Sequence, residues 1–232
     1  MIGRFNPRFD ILPSSQQRLW QKLKAAVDLG FVLYGGTAIA LRLGHRQSVD
    51  FDFFTEKPLD RDALRAAFPI LAQSSVLQDE RHALSVLVPG SDAQHGSVKL
   101  SFFGTIGFGR VGAPDLTEDG VMQVASLDDL IATKVKVVLQ RAEAKDYRDI
   151  EQMLNAGVSL ARGLAAAREM FGPNFQPSES LKALVYFADG DLQTLTDHEK
   201  SALVKAASAV RGLPSVGILS KQLSIPRASG TG

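Results

Sequence analysis

The chain has 232 residues, of which 45% are hydrophobic and 22% charged, and this ordinary globular composition excludes intrinsic disorder, collagen-like repeats and a coiled coil as whole-chain descriptions. Lysine and arginine number 26 against 25 aspartates and glutamates, so the net charge of +1 excludes general affinity for polyanions, and any nucleic-acid surface must be local. The absence of cysteine excludes disulfide scaffolds, cysteine-ligated metals and thiol catalysis.

The sequence contains no segment that predicts membrane insertion or secretion. No apolar run approaches the roughly 18–20 residues that are needed to cross a bilayer. The N-terminal residues MIGRFNPRFD lack the apolar core of a signal peptide. We therefore expect a cytoplasmic protein without a membrane partner.

The first half of the chain predicts alternating helices and strands. Gly44 is expected to end the second helix in the left-handed conformation, and the polar segment 91–96 to connect the last two strands as a hairpin. Apolar spacing predicts helices over 15–29, 38–43 and 60–68 and strands over 31–34, 49–54, 83–88 and 98–103.

The second half of the chain predicts helices almost throughout. The pairs Ser126/Asp129 and Thr196/Glu199 have the spacing of capping boxes. A glycine-rich loop over 104–120 separates the halves, so we predict an α+β chain with an α/β domain over 1–115 and a helical domain over 116–232. The predicted helices span 126–141, 146–154, 159–171, 181–187 and 196–210.

One predicted strand, within QSVDFDFFT, carries two aspartates on one face. Residues two apart in a strand share a face, so Val49, Phe51 and Phe53 are expected to face a core, and Asp50 and Asp52 to lie about 6.6 Å apart at Cα. Like charges this close repel unless a cation lies between them, and carboxylate ligands suit Mg²⁺ or Mn²⁺. An acidic solvent-facing edge and the Asp-x-Asp of sugar-nucleotide glycosyltransferases remain open as alternatives.

A second feature lies upstream of these aspartates. Gly35, Gly36 and Thr37 stand between a predicted strand and a predicted helix, where glycines let the backbone approach a ligand closely. The helix N-terminus offers N–H groups and a positive dipole end, so a phosphate bound there would lie near a cation held by the aspartates. A tight strand–helix turn explains Gly-Gly alone, but the two features together favour a metal-assisted phosphate site.

The strings YGGTA, LGHR and DFDFF, with Ser48 between the last two, resemble the first motif of the nucleotidyltransferase superfamily with the DNA polymerase β-like fold. More narrowly, they resemble the AbiEii/AbiGii toxin family of bacterial toxin–antitoxin and phage-defence pairs. The resemblance spans roughly residues 17–187, and it implies a mixed sheet with flanking helices and a C-terminal helical domain that completes an active-site cleft. It also implies that a metal is held by Asp50 and Asp52, and that a nucleoside triphosphate (NTP) is bound by Gly35, Gly36, Thr37, Arg46 and Ser48.

A lysine on the apolar stripe of the first C-terminal helix is a further candidate. Lys134 follows Leu130 and Ile131 at helical spacing, so it is expected to face inward, lining a cleft or reaching out at the edge of the core. Lys136 lies off this stripe, on a flank with Asp129, and is expected to be solvated.

The family resemblance also assigns roles to residues that follow this lysine in the sequence. The family's later motif has a lysine, an arginine and an Arg/Lys-Asp pair, which match Lys134, Arg141 and Lys145-Asp146 here. It implies that Lys134 faces the triphosphate and that Asp146 orients the lysine or accepts the proton of the attacking hydroxyl. Helix-terminus charge stabilisation is the alternative for Asp146, and Asp149 is expected to pair locally with Lys145 or a neighbouring arginine.

One position departs from the superfamily pattern. Polymerase β-like sites commonly carry a third carboxylate on a neighbouring strand, but Ser97, Lys99, Ser101 and Phe103 occupy the candidate face here. This departure predicts weaker metal binding, a base role for Asp146, or a weakened enzyme.

These features together predict a metal-dependent nucleotidyltransferase toxin. It would transfer a nucleotide from an NTP to a hydroxyl of tRNA or a protein, with an antitoxin as partner. Five Lys/Arg against two Asp/Glu over residues 130–148 fit either an RNA surface or a solvated helix face. A non-catalytic nucleotide-binding or interaction module of the same fold and an antibiotic-modifying nucleotidyltransferase are the rival interpretations.

Overall fold

The computed structural model describes residues 2–90 and 96–226, which form two compact units. The first unit comprises 2–90, 96–109, 113–125 and 220–226, and the second comprises 110–112 and 126–219. The predicted hairpin connection lies outside the described residues, apart from Gly96. Within these ranges, no helix is long and apolar enough to cross a membrane.

The first unit is built on a mixed sheet, in agreement with the expected fold class. In the described residues the strands are β1 (Arg4–Phe5), β2 (Val32–Tyr34), β3 (Asp50–Phe54), β4 (Ser75–Glu80), β5 (Ala83–Val88), β6 (Val98–Phe103), β7 (Asp115–Thr117) and β8 (Gln123–Val124). In space they follow the order β1-β7-β8-β2-β3-β6-β5-β4, with β3 antiparallel to β2 and parallel to β6.

The helices of the first unit follow the apolar spacing of the sequence. The predicted helix over 15–29 is divided by a 3₁₀ turn at Trp20–Lys24, but its apolar stripe is buried as expected. Gly44 ends α3 with φ 69°, which confirms the left-handed cap. The helices are α1 (Ser14–Leu19), α2 (Ala25–Asp28), α3 (Gly35–Leu43) and α4 (Arg61–Ala67).

Aromatic side chains bury one face of the sheet. Phe51 and Phe53 of β3 stack with their ring centroids 6.2 Å apart, and Phe53 stacks on Phe102 of β6 at 5.2 Å. Trp20 and Phe31 contact the same layer from outside the sheet. All of these rings are buried, and each such ring stabilises the fold by about 1.5–3 kcal/mol relative to exposure. The opposite face of β3 is therefore left to the aspartates.

Val49 does not join this core. It is 56% exposed, because β3 begins only at Asp50 and the alternation of faces applies only within the paired strand. The expectation that Val49 faces the core is therefore wrong, whereas Phe51 and Phe53 are fully buried as predicted.

Four of these strands, β1, β4, β7 and β8, are not predicted by the sequence pattern. β1, β7 and β8 have only two or three residues, and β4 is exposed along most of its length, so none shows a clear alternating pattern. β7 and β8 pair with each other, and β8 pairs with β2. The sheet of the first unit therefore continues beyond residue 115.

The second unit is helical. Thr196 and Glu199 form the expected capping box of α9, and α8 begins at Pro177, several residues before the predicted start, because proline is well placed in the first helical turn. The helices described in this unit are α5 (Leu127–Val137), α6 (Ala144–Asn155), α7 (Leu160–Phe171), α8 (Pro177–Leu184) and α9 (Asp197–Ala209).

Asp129, on the flank of α5 that also carries Lys136, is buried. It is 1% exposed and accepts hydrogen bonds from the backbone N–H of Val111 at 2.7 Å and of Gly112 at 3.3 Å. Burial raises the pKa of this carboxyl, although its hydrogen bonds with Ser126 and the two N–H groups oppose the rise. Asp129 therefore fastens residues 110–112 to the helical unit instead of completing a capping box.

Candidate functional site

Gly35 brings the backbone against the carboxylate of Asp52. β2 ends at Tyr34, which pairs with Asp52, and α3 begins at the next residue. Gly35 has φ +75°, and a Cβ at this position would lie 2.6 Å from Asp52 Oδ2. Both the left-handed conformation and the close approach require glycine. Glycine at position 35 therefore allows the turn between β2 and α3 to lie close to the aspartates of β3.

The first turn of α3 contains the predicted phosphate-binding residues Gly35, Gly36 and Thr37. The helix was expected to begin at residue 38 but begins at Gly35, so the glycines belong to the helix itself. The first N–H groups of a helix have no acceptor within the helix, and the N-cap residue Tyr34 provides no side-chain cap. The positive end of α3 therefore lies next to the two aspartates.

Thr37 connects this helix to the acidic strand. Its hydroxyl donates to the carbonyl oxygen of Asp50 and lies 2.7 Å from Ser48 Oγ, and both hydroxyl-bearing side chains are buried. These contacts hold α3 in position over the start of β3. They give Thr37 and Ser48 a structural role whether or not they also contact a ligand.

Arg46 lies over Gly36. A Cβ at Gly36 would overlap with the guanidinium group of Arg46 and would lie 3.4 Å from Ser48 Oγ. Arg46 Nη1 also donates to the carbonyl of Gln47 at 2.9 Å. The structure therefore brings together all of the site residues predicted in the first unit, namely Gly35, Gly36, Thr37, Arg46, Ser48, Asp50 and Asp52.

The strand beside the aspartates offers a hydroxyl instead of a third carboxylate. In the parallel register of β3 and β6, Asp50 is opposite Lys99 and Asp52 is opposite Ser101. Ser101 is fully buried, and its Oγ has no hydrogen-bond partner among the described residues. Two carboxylates and an unsatisfied hydroxyl are oxygen donors of the kind that Mg²⁺ and Mn²⁺ prefer. No group of three or more His, Asp or Glu side chains suited to a metal occurs in the described ranges.

In the second unit, Lys134 lies between two buried carboxylates. Its Nζ is 2.5 Å from Asp146 Oδ1 and 2.7 Å from Asp149 Oδ2, and the lysine is 5% exposed. Arg141 Nε contacts Asp146 Oδ2 at 2.7 Å. The prediction that Lys134 faces inward is confirmed, and its burial is compensated by this ion-pair cluster.

Asp146 carries its charge at neutral pH. Burial alone would raise the pKa of its carboxyl, but the hydrogen bond from Arg141 and the positive charge of Lys134 outweigh burial and lower the pKa below the ordinary value. A carboxylate with a lowered pKa is a weak proton acceptor. The geometry therefore favours the orienting role of Asp146 over the role of general base.

Two neighbours of this cluster differ from expectation. Asp149 pairs with Lys134 rather than with Lys145, which instead contacts Glu143 at 2.7 Å. The signal was present in the sequence, since residues three apart on a helix share a face and Asp149 follows Asp146 by three. Lys136 is half-buried rather than fully solvated, and its Nζ donates to the carbonyl of Asn174 at 2.6 Å.

Residues 18–205 match the family model described as "Nucleotidyl transferase AbiEii toxin, Type IV TA system". The chain belongs to the AbiEii family. As a member of this family, the protein is a nucleotidyltransferase. An uncharacterized protein of Aquifex aeolicus (strain VF5) is 30% identical to this AbiEii chain over 185 residues, which cover 77% of the chain and 86% of that relative.

Solved structures share the fold of this AbiEii chain. One is described as a nucleotidyltransferase from H. pylori, with a TM-score of 0.57 and 20% identity over 84% of this chain and 92% of that one. Another is an antigenic nucleotidyltransferase-like protein from Paracoccidioides brasiliensis, with a TM-score of 0.51 and 18% identity over 84% and 94% of the two chains. At these identities the likeness concerns the fold.

Replacing Gly35 with alanine should destabilise this AbiEii protein more than a matched substitution at Gly120. Both glycines have positive φ, +75° and +70°, but only Gly35 places a Cβ against Asp52, whereas nothing lies within 4 Å at Gly120. Gly120→Ala should cost about 1 kcal/mol of unfolding free energy, and Gly35→Ala about 1–3 kcal/mol more. Urea unfolding measures both values, and equal losses would show that the Asp52 contact is easily relieved.

The lowered pKa of Asp146 predicts a pH dependence of stability. A carboxyl whose folded pKa is lowered contributes stability above its unfolded pKa, near the ordinary value of 3.8, and loses it as pH falls below that value. Asp146→Asn should therefore be less stable than the wild type at pH 7. The difference should shrink below about pH 4 in urea unfolding measured as a function of pH. A difference that stays constant down to pH 2 would contradict the assignment.

Proposed function

We propose that this AbiEii protein is a metal-dependent toxin that transfers a nucleotide from an NTP to an acceptor hydroxyl in the cytoplasm. The acceptor is a tRNA or a protein, and an antitoxin is the restraining partner. The observation that carries the proposal is the close approach of Gly35, at the N-terminus of α3, to the carboxylate of Asp52. A helix N-terminus close to a pair of carboxylates supports phosphate binding beside a bound cation.

The triphosphate is assigned to the first turn of α3. In this proposal the backbone N–H groups of Gly35, Gly36 and Thr37 donate to phosphate oxygens. Arg46, whose guanidinium lies over Gly36, adds a positive charge and charge-assisted hydrogen bonds. Ser48 is held by its hydrogen bond with Thr37, and it helps to fix the first turn of α3.

Asp50 and Asp52 are the residues that would hold the cation. A cation held there would neutralise negative charge on the phosphates of the NTP. The shared face of the two carboxylates on β3 and the unsatisfied hydroxyl of Ser101 support this assignment.

In the second unit, Lys134 is proposed as the catalytic residue and Asp146 as the residue that positions it. Lys134 stabilises negative charge that develops on the triphosphate, and Asp146 holds the lysine ammonium in position. The lowered pKa of Asp146 supports a positioning role, because this carboxylate keeps its negative charge throughout. Asp149, one turn further along α6, forms an ion pair with the same lysine and also holds it in position.

The proposal is tested by incubating the purified chain with each α-labelled NTP, Mg²⁺ and either total RNA or a cell lysate, followed by gel analysis. We expect label on an RNA or protein band, and loss of that label with EDTA. NTP binding without label on any macromolecule would contradict the proposal and favour a binding module. Label found only on an added antibiotic would favour the small-molecule enzyme.

The toxin role has a separate readout. Induction of the wild-type chain in a bacterial host should arrest growth, and induction of Asp52→Ala at the same protein level should not. Growth arrest that persists with Asp52→Ala would separate toxicity from nucleotidyl transfer.

The donor set predicts that Mg²⁺ binds mainly together with the triphosphate. Asp50 and Asp52 alone provide fewer oxygens than a hard cation requires, and the phosphates supply the others. Titration calorimetry should show Mg²⁺ binding at least about tenfold tighter with a non-hydrolysable triphosphate than without it. Ser101→Asp should tighten Mg²⁺ binding to the nucleotide-free protein, because Ser101 lies opposite Asp52 in the register.

The control for this prediction is Ser85→Asp. Ser85 pairs with Ser101 from the far side of β6, one strand further from the aspartates. It should leave Mg²⁺ affinity unchanged. Tight Mg²⁺ binding by the nucleotide-free wild type would contradict the prediction.

A further inference from the structure

An aromatic cluster lies directly beside the proposed phosphate site in the first unit. Tyr34 stacks on Phe54, with ring centroids 4.9 Å apart and planes 14° apart. Phe54 meets Phe103 of β6 edge-to-face at 5.1 Å. Phe108 covers the pair, with its centroid 6.1 Å from that of Tyr34 and 6.3 Å from that of Phe54.

The cluster is continuous with the catalytic face of the sheet. Phe54 follows Asp52 by two residues on β3 and therefore shares its face, and Tyr34 immediately precedes Gly35. Tyr34 is 2% exposed and forms the floor. Phe54, Phe103 and Phe108 are only half-buried, so each of these residues is still partly accessible from solvent.

The loop that carries Phe108 is held in a costly conformation. Thr105 has φ 58°, and in residues 2–90 and 96–226 no other non-glycine residue has a positive φ. Its N–H donates to the carbonyl of Lys57 at 2.8 Å, and the N–H of Ile106 donates to Thr55 at 3.1 Å. Such strain persists only where the surroundings impose it, and it concentrates at ligand sites.

Gly104 lets this loop approach the segment after β3. A Cβ at Gly104 would lie 2.8 Å from the carbonyl oxygen of Lys57 and 2.9 Å from the N atom of Leu59, and neither backbone atom can move aside easily. The close approach fixes the start of the loop, and the hydrogen bonds of Thr105 and Ile106 fix its course. Phe108 is therefore positioned by the backbone rather than only by packing.

We propose that Phe54, Phe103 and Phe108 bind the nucleobase of the NTP by stacking. This base subsite lies beside the proposed phosphate site, because Phe54 follows Asp52 by two residues on β3. This inference rests on the proposed function and adds the base subsite to it. Stacking on aromatic faces tolerates every base, because each base has a π-face. The enzyme therefore accepts several NTPs, with purines bound more tightly than pyrimidines because their ring surface is larger.

The test compares ATP with inorganic tripolyphosphate, which has the phosphates but no base, by titration calorimetry with Mg²⁺. Phe108→Leu keeps an apolar side chain and removes the ring, so it should weaken ATP binding at least about fivefold and leave tripolyphosphate binding unchanged. Phe108→Trp should retain ATP affinity. Ile106→Ala is the control in the same loop and should alter neither ligand, and thermal unfolding verifies that each variant folds.

Failure of the inference is distinct from failure of the proposed function. Equal weakening of both ligands by Phe108→Leu, or no weakening of either, would overturn the base subsite while the wild type still binds ATP. An effect limited to the KM of the acceptor RNA would also overturn it and would assign the rings to an acceptor base. A wild type that binds neither ATP nor tripolyphosphate would overturn the phosphate site and the base subsite together.

Discussion

Replacing Lys134 with methionine is expected to lower the free energy of unfolding by about 3–5 kcal/mol. The substitution removes the ammonium group that lies between the fully buried carboxylates of Asp146 and Asp149. Two like charges are then left close together in a region that is poorly solvated, and the ammonium no longer offsets either of them. Urea unfolding of the full chain at pH 7 measures the loss.

The matched control is Lys136→Met on the same helix. Lys136 is half-buried and makes one hydrogen bond to the carbonyl of Asn174, so its loss should cost less than about 1 kcal/mol. The double variant Lys134→Met/Asp149→Leu should recover part of the lost stability, because one of the repelling charges is removed. Equal effects of the two lysine substitutions would show that the buried cluster contributes little.

Catalysis adds a second readout for this lysine. Assayed at equal concentrations of folded protein, Lys134→Met should transfer nucleotide at least about tenfold more slowly, and Lys136→Met should be near the wild type. A Lys134 variant that loses stability but keeps its transfer rate would give the cluster a purely structural role.

Replacing Asp50 or Asp52 with alanine is expected to reduce nucleotide transfer by at least about a hundredfold. Each substitution removes one of the two carboxylates assigned to the cation. Both residues are only half-buried and they repel each other, so unfolding free energy should change by less than about 1 kcal/mol. Transfer of labelled nucleotide and urea unfolding, measured on the same preparations, separate the two effects.

Asp62→Ala is the matched control in the first unit. Its side chain is 97% exposed and its ion pair with Arg65 is long, at 3.5 Å, so its loss should affect neither transfer nor folding. If Asp52→Ala unfolds the chain, or leaves transfer unchanged, the aspartates form an ordinary acidic face of the sheet.

Much of the site follows from patterns that are local in the sequence. The alternation within DFDFF places Phe51 and Phe53 in the core and both aspartates on the other face, and the structure agrees. The stripe that includes Lys134 likewise predicts its burial. These inferences succeed because the period of a strand or a helix depends on neighbouring residues only.

Contacts between segments that are distant in the sequence could not be predicted from strand or helix periodicity. The position of Ser101 beside Asp52 and the burial of Asp129 under residues 110–112 both join separate elements. The strands β1, β7 and β8 are defined by pairing between separate segments, since two or three residues carry no readable period.

The sequence by itself determined which residues share a face and which chemistry they can perform: two carboxylates, a glycine-rich helix start and an inward lysine. Only the tertiary structure decided which partner each of them meets. Periodicity is a property of the local backbone, whereas strand register and ion-pair partners depend on the packing of the whole unit. Gly35 illustrates both contributions. The sequence shows that a glycine stands at this position, but the need for glycine, which is the close approach to Asp52, becomes clear only when β2 and β3 pair.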